Sequence, residues 1–312
     1  MESAFLVMKQ TGIMFLLMSM GIFSRKKGMF SVETSENCSK ILSDIVIPAT
    51  MIYAFQGNSS AGAKSGFWLA FAMAALYHVI TLFMANLMIP GKSGASSDLE
   101  RVAAVAGNCA FMGFPLVRAA LGEGALIYGT AFIAVFNLFI WAWSALLVGG
   151  EKPTLKNILL RPQIISVAIG LILFGFSIKL PDFALTCLKY TADLNTPLAM
   201  LVLGAFLAEA DIKSALKNFR IYRAVFIKNF LSGSIFMLAM TAMQTGRWIP
   251  GAHVPLMTCV IISAAPTAVT AVFVSARYGR DSAYAAQLVA ASTLFSLFSI
   301  ALLVFLASFL PL

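Results

Sequence analysis

Apolar runs of about twenty residues alternate with short polar links along almost the whole chain. Residues 66–89, GFWLAFAMAALYHVITLFMANLMI, hold no acidic side chain and no lysine or arginine. A hydrocarbon core roughly 30 Å thick is crossed by about 20 residues of helix. Only a helix or a closed barrel satisfies its own backbone there. The pattern predicts ten helical spans, at 4–23, 40–57, 66–89, 100–121, 124–149, 162–180, 190–208, 221–244, 254–276 and 282–310. The first run lacks a basic leader. Arg25, Lys26 and Lys27 follow it with no small-residue cleavage site, so it reads as a retained span and not a signal peptide.

Composition agrees with this pattern. Of 312 residues, 60% are hydrophobic and 11% charged, where soluble domains carry about a quarter charged. Mean hydropathy is +0.89. The net charge of +9 would suit a nucleic-acid partner, but the basic residues sit in the links, where they set orientation instead. Odd-numbered links hold fifteen lysines and arginines and even-numbered links five. That asymmetry puts the odd links in the cytoplasm and both termini outside, in the cell's inner (plasma) membrane. Lys9 and Lys228 fall inside spans, and a snorkelling role at the cytoplasmic interface suits Lys228. Cys38, Cys109, Cys187 and Cys259 are scattered, without a disulfide framework or a metal signature.

The chain also repeats. Asp44 and Pro48 recur as Asp193 and Pro197, both 149 residues later, and Pro115 recurs as Pro266 at an offset of 151. Two five-span halves follow, 1–149 and 162–312. An odd number of spans per half inverts the second relative to the first, a common transporter arrangement. Channels and membrane enzymes can share it.

Helices four and nine carry the chemistry. Helix four, RVAAVAGNCAFMGFPLVRAALGEG, places Gly107, Asn108, Gly113 and Pro115 in its middle, and helix nine has Pro266 at a matching depth. Proline removes a backbone donor and clashes with the preceding turn. In lipid, broken backbone is tolerated only where protein or a wet cavity satisfies it. Half-helices beginning at the two prolines would aim their positive N-terminal ends at one midplane site. Asn108, Ser263, Thr267 and Thr270 are the polar side chains nearby, and none is acidic. An anionic group fits such a site better than a sodium ion. The plainer reading is a pair of proline kinks that only shape packing.

The strings NCAFMGFPL and AVFNLFIWAW of helices four and five resemble the signature of the auxin efflux carrier family, as do TPLAMLVLGAF and AAPTAVTAVFVSARYG of helices seven and nine. That family includes plant auxin exporters and bacterial permeases for malate, malonate and related carboxylates. The likeness covers nearly the whole chain. It implies an all-α integral membrane fold of ten helices in a 5+5 inverted repeat, with broken helices four and nine crossing as in bile-acid and sodium/proton transporters. It further implies a scaffold of helices one, two, six and seven against a core of three to five and eight to ten, and a homodimer through the scaffold. By resemblance Asn108 meets the substrate carboxylate, with Cys109, Met112, Gly113 and Pro115 in the same string. Asn137 faces the same cavity, and Pro115 and Pro266 are the crossover prolines. Thr267 stands where plant members have glutamine, which puts ligand chemistry on that side in doubt.

Other ionisable residues leave alternatives open. Asp44 and Asp193 either offset the dipoles of their helices near the N-terminal ends or couple transport to protons. His78 either packs within its span or titrates near neutral pH. PGKSGASS near residue 90 resembles a phosphate loop but lacks the required first glycine, which would fall at Asn86. No catalytic motif appears in any span, so an enzyme is not expected, nor is a cofactor or a resident metal. The expected function is a carrier of small organic anions. A cation/proton antiporter or sodium symporter on the same fold is the alternative.

Overall fold

Polar residues begin several of the helices. Ser31 caps one by accepting the Thr34 amide at 2.9 Å, which satisfies one of the amides that a first turn leaves free. The stretch SVETSENCSK, expected as a link, therefore folds as helix. Asp281 does the same for the last helix, accepting from the Tyr284 amide at 2.9 Å. The computed structural model describes residues 2–57, 61–90, 95–149 and 159–310, with Thr154 and Lys156 between the last two segments. Part of the PGKSGASS stretch and most of the middle link, with Lys92 and Lys152, lie outside the described residues.

The described residues form helices, with a single isolated bridge and no strand. They are α1 (Glu2–Lys26), α2 (Val32–Phe55), α3 (Ala61–Met88), α4 (Ala95–Val105), α5 (Cys109–Leu121), α6 (Leu126–Ser144), α7 (Pro162–Gly175), α8 (Asp182–Leu207), α9 (Phe219–Ala242), α10 (His253–Ser263), α11 (Thr270–Arg277) and α12 (Ser282–Ala307). A further turn, Ile212–Ala215, precedes α9. Among the described residues, seven helices are long and apolar enough to cross a membrane: α1, α2, α3, α8, α9, α12 and the segment Glu123–Val148 that contains α6. Cys109–Leu121, Pro162–Gly175 and His253–Ser263 are shorter apolar helices. The expected single spans four and nine are each two helices.

Packing sorts the helices. α1 lies along α8 and also packs on α5 and α12, and α2 packs on α7 and α8; α3 packs on α6 and α10, and α12 on α9 and α11. The α1–α8 contact is close enough to need glycine. A Cβ on Gly21 would land on the Leu201 carbonyl oxygen, and one on Gly204 on the Met18 carbonyl oxygen. Small residues let backbones approach in this way where lipid offers no hydrophobic drive. A buried acid ties a second group together. Glu100 of α4 is fully buried and accepts from Arg220 and Arg223 of α9, both at 2.7 Å, and from Tyr284 of α12 at 3.0 Å.

Gly204→Ala and Gly21→Ala should each cost about 1–3 kcal/mol through overpacking and lower the unfolding temperature in detergent. Gly12→Ala on the same α1, where a Cβ meets nothing within 4 Å, should leave it unchanged or raise it.

Candidate functional site

Gly107 and Asn108, both poor helix formers, follow the end of α4 at Val105. Pro266 interrupts the second broken helix: it cannot donate, and it disfavours helical backbone at the residue before it. The two breaks meet. Gly107 and Thr267 form an antiparallel bridge, in which the Asn108 amide donates to the Pro266 carbonyl at 2.7 Å and the Ala268 amide to the Ala106 carbonyl at 2.8 Å. Exchanging 106 with 266 and 108 with 268 maps one bond onto the other, an offset of 160 residues.

Pro115 takes no part in this crossing, and α5 starts at Cys109 instead of at the proline. A π turn over Cys109–Gly113 widens the helix just ahead of Pro115, which relieves the clash of the ring with the carbonyl four residues back. The same device, Leu42–Val46, precedes Pro48 in α2.

A cavity of about 100 Å³ lies beside the bridge. Four of the expected site residues line it: Asn108, Cys109, Asn137 and Thr270. The others do not. Thr267 holds the crossing, its amide donating to Ser292 Oγ at 2.8 Å and its hydroxyl to the Ala103 carbonyl at 2.9 Å. Pro266 serves through its carbonyl. Ser263 turns its hydroxyl to the Val260 carbonyl, and Met112 is buried in the core. A Cβ on Gly113 would touch Ile262, and Pro115 lines a separate, smaller cavity with Thr50, Arg118 and Asn195.

Asn108 is 3% exposed, and its Nδ2 has no hydrogen-bond partner. Asn137 Nδ2 donates to the Ile133 carbonyl at 2.9 Å, which uses one of its two hydrogens. Ser39, Ser43 and Gln163 complete the polar lining. Gln163 Nε2 donates to the Ser43 carbonyl at 2.7 Å and hydroxyl at 2.6 Å. No lining residue is charged.

The single charged group near the crossing among the described residues is one assigned above to the interface. Lys228 does not snorkel. It is fully buried, and its Nζ donates to Tyr77 Oη at 2.9 Å and to the Ser263 carbonyl at 3.1 Å. It lies nine residues into α9, about 13 Å along the axis, too deep for the stem to reach the end it was expected to reach. Its neighbour Asn229 accepts from Ser292 Oγ at 2.6 Å and donates to the Ser292 carbonyl at 2.8 Å. Two consecutive residues of one π turn, Ile227–Leu231, thus brace opposite sides of the crossing.

The three candidate coupling groups lie elsewhere. His78 is fully buried among Phe132, Phe136 and Phe139, with Nδ1 2.7 Å from the Ala74 carbonyl and Nε2 without a hydrogen-bond partner. Asp44 is exposed and lies twelve residues into α2, not at its start. Asp193 ends the first part of α8, Asp182–Asp193, and stands just ahead of its second part, which starts at Asn195. Asp44 does not start its helix, because α2 begins earlier than its apolar pattern, whereas Asp193 keeps a place beside a helix start.

The family model for membrane transport proteins matches residues 6–156 and 146–304. The chain belongs to that family, the auxin efflux carrier family. It is 25% identical over 214 residues to an uncharacterised transporter of Methanocaldococcus jannaschii, covering 64% of this chain and 69% of that one. The chain is thus a multi-pass membrane protein of a transport family, not one of a family of enzymes.

At the far end of α2 from Ser39 and Ser43, the protein ties its helices together by charge. Asp193 of α8 accepts from Arg118 of α5 and from Lys189, both at 2.9 Å. Arg118 also lies 3.8 Å from Glu123, which accepts the Tyr53 hydroxyl of α2 at 2.8 Å. These partners are partly exposed, and such pairs contribute about 0–1 kcal/mol each. They latch without locking.

Asn229→Ala should lower stability in detergent by about 1–3 kcal/mol, since it leaves Ser292 Oγ and its carbonyl short of partners. Ser292→Ala should cost a similar amount. Thermal unfolding of the double variant should show less than the sum, because the two share one network.

Proposed function

We propose that the protein carries small organic anions, with a carboxylate held at the crossing, by alternating access. The carrying observation is the Asn108 amide: a buried donor with no protein partner, in the wall of a cavity. A buried donor left unpaired costs about 1–3 kcal/mol, and a carboxylate removes that cost. Two half-helices start in the same wall, α5 at Cys109 and α11 at Thr270. Their first-turn amides and positive dipole ends favour an anion.

Size narrows the substrate class. At about 10–15 Å³ for one water-sized position, a cavity of about 100 Å³ takes roughly seven to ten. That suits three- or four-carbon acids such as malonate and malate better than an indole acid. The cation-carrier alternative needs an acid at the site. Asp193 is engaged by Arg118 and Lys189, Asp44 lies on an exposed face, and no lining residue is acidic.

In this reading the chain has ten passes. α4 with α5 and α10 with α11 form broken spans four and nine, in two inverted halves, 1–149 and 162–312. The recurrence of Asp44 and Pro48 as Asp193 and Pro197, 149 residues later, supports that reading. Helices α1, α2, α7 and α8 are the scaffold and the rest the moving core, with α1 packing on both α8 and the core helices α5 and α12. Both termini lie outside the plasma membrane, following the link charges, and the scaffold face is where a homodimer would form. The Arg118, Glu123, Asp193 and Tyr53 latch then closes the outer side while the cavity sits toward the cytoplasm.

Uptake of labelled malonate, malate and indole-3-acetate into proteoliposomes tests the reading. Asn108→Ala should lower malonate or malate uptake at least tenfold, the equivalent of about 1.4 kcal/mol, without a lower unfolding temperature. Undiminished uptake by that variant would remove the site from Asn108.

A further inference from the structure

Lys228 presents an unusual arrangement for a lysine within a membrane span. Among the described residues no carboxylate pairs with it. An unpaired buried cation is expensive, so its setting must offset the cost. Ser263, whose carbonyl accepts from Nζ at 3.1 Å, is the last residue of α10. The last carbonyls of a helix have no partner within it and form its negative end. Tyr77 Oη donates to the same carbonyl at 3.1 Å and accepts from Nζ at 2.9 Å. A Cβ on Gly107 would lie 3.4 Å from Nζ, so the ammonium stands directly behind the crossing, one residue from Asn108.

Carriers built on broken helices commonly hold a coupling sodium ion or proton at the C-terminal ends and unwound carbonyls of such half-helices. We propose that Lys228 is a tethered cation in that position: its ammonium fills, from within the chain, the place a free cation would take, and the anion in the adjoining cavity balances its charge. Binding and uptake then need no added sodium. The substrate half of this inference rests on the anion-carrier reading above; the cation half does not.

The consequence is a vacancy on demand. Lys228→Ala removes the ammonium but leaves the Ser263 carbonyl, Tyr77 Oη and a hole shaped by the lost stem. Lys228→Met removes the charge and fills the hole. Thermal unfolding in detergent is measured for the wild type and both variants in choline, sodium and methylammonium chlorides at equal ionic strength. The wild type should unfold at one temperature in all three salts. Lys228→Ala should show a saturable rise of a few degrees with sodium or methylammonium and none with choline, as a ligand bound only by the folded state demands. Lys228→Met should show no rise. A wild type stabilised by sodium over choline, or a Lys228→Ala protein indifferent to both small cations, would overturn the proposal.

If neither variant folds, the wild type decides. Stability and labelled malonate uptake that are equal in sodium and choline uphold the tethered cation, and a tenfold loss of uptake in choline overturns it. If the wild type takes up none of the labelled acids, the carboxylate reading fails, and the unfolding series still decides the role of Lys228.

Discussion

Two backbone hydrogen bonds, Asn108 to Pro266 and Ala268 to Ala106, make two broken helices possible at one place in a membrane protein. A helix that breaks inside hydrocarbon exposes amides and carbonyls, each at a cost of several kcal/mol when left without a partner. Here each break supplies the partners the other lacks. The remaining ends lie at the cavity and the lysine: the starts of α5 and α11 face the cavity, and the end of α10 faces an ammonium. Side chains then fix the crossing, with Thr267 bonded to Ala103 and Ser292, and Ser292 to Asn229.

Much of this was legible from apolar run length alone, because lipid imposes one length on every span. The errors have physical causes. The starts of α2 and α8 were missed because SVETSENCSK and PDFALTCLKY are polar enough to read as links, yet form helix, in α2 under a Ser31 cap. That shift moved Asp44 from a helix end to a helix interior, while Asp193 sits at the break between the two parts of α8. Pro266 marked its break correctly, but Pro115 did not, since a π turn absorbs it. In helix four the residues that break are Gly107 and Asn108, and only tertiary pairing with Thr267 singles them out.

The cavity was half legible. Asn108, Cys109, Asn137 and Thr270 line the cavity as expected, but Ser39 and Ser43 lie on α2 ahead of its Asp44–Pro48 motif, and Gln163 lies on α7, whose sequence shows no such motif. Lys228 was misread for a related reason. A lysine stem suits snorkelling as well as burial, and what decides between them is Tyr77, 151 residues away, and Ser263, 35 residues away. A default rule would have flagged it: an ionisable residue deep in a span is a functional candidate first.

The central claim is that an organic anion binds between Asn108 and Asn137 at the crossing. A structure determined with bromomalonate tests it most directly, because bromine marks the ligand by its anomalous signal. A peak in the cavity, with a carboxylate within hydrogen-bond distance of Asn108 Nδ2, is the predicted result. A peak beside Arg118 and Lys189 at the other end of the bundle, with an empty crossing, would contradict it.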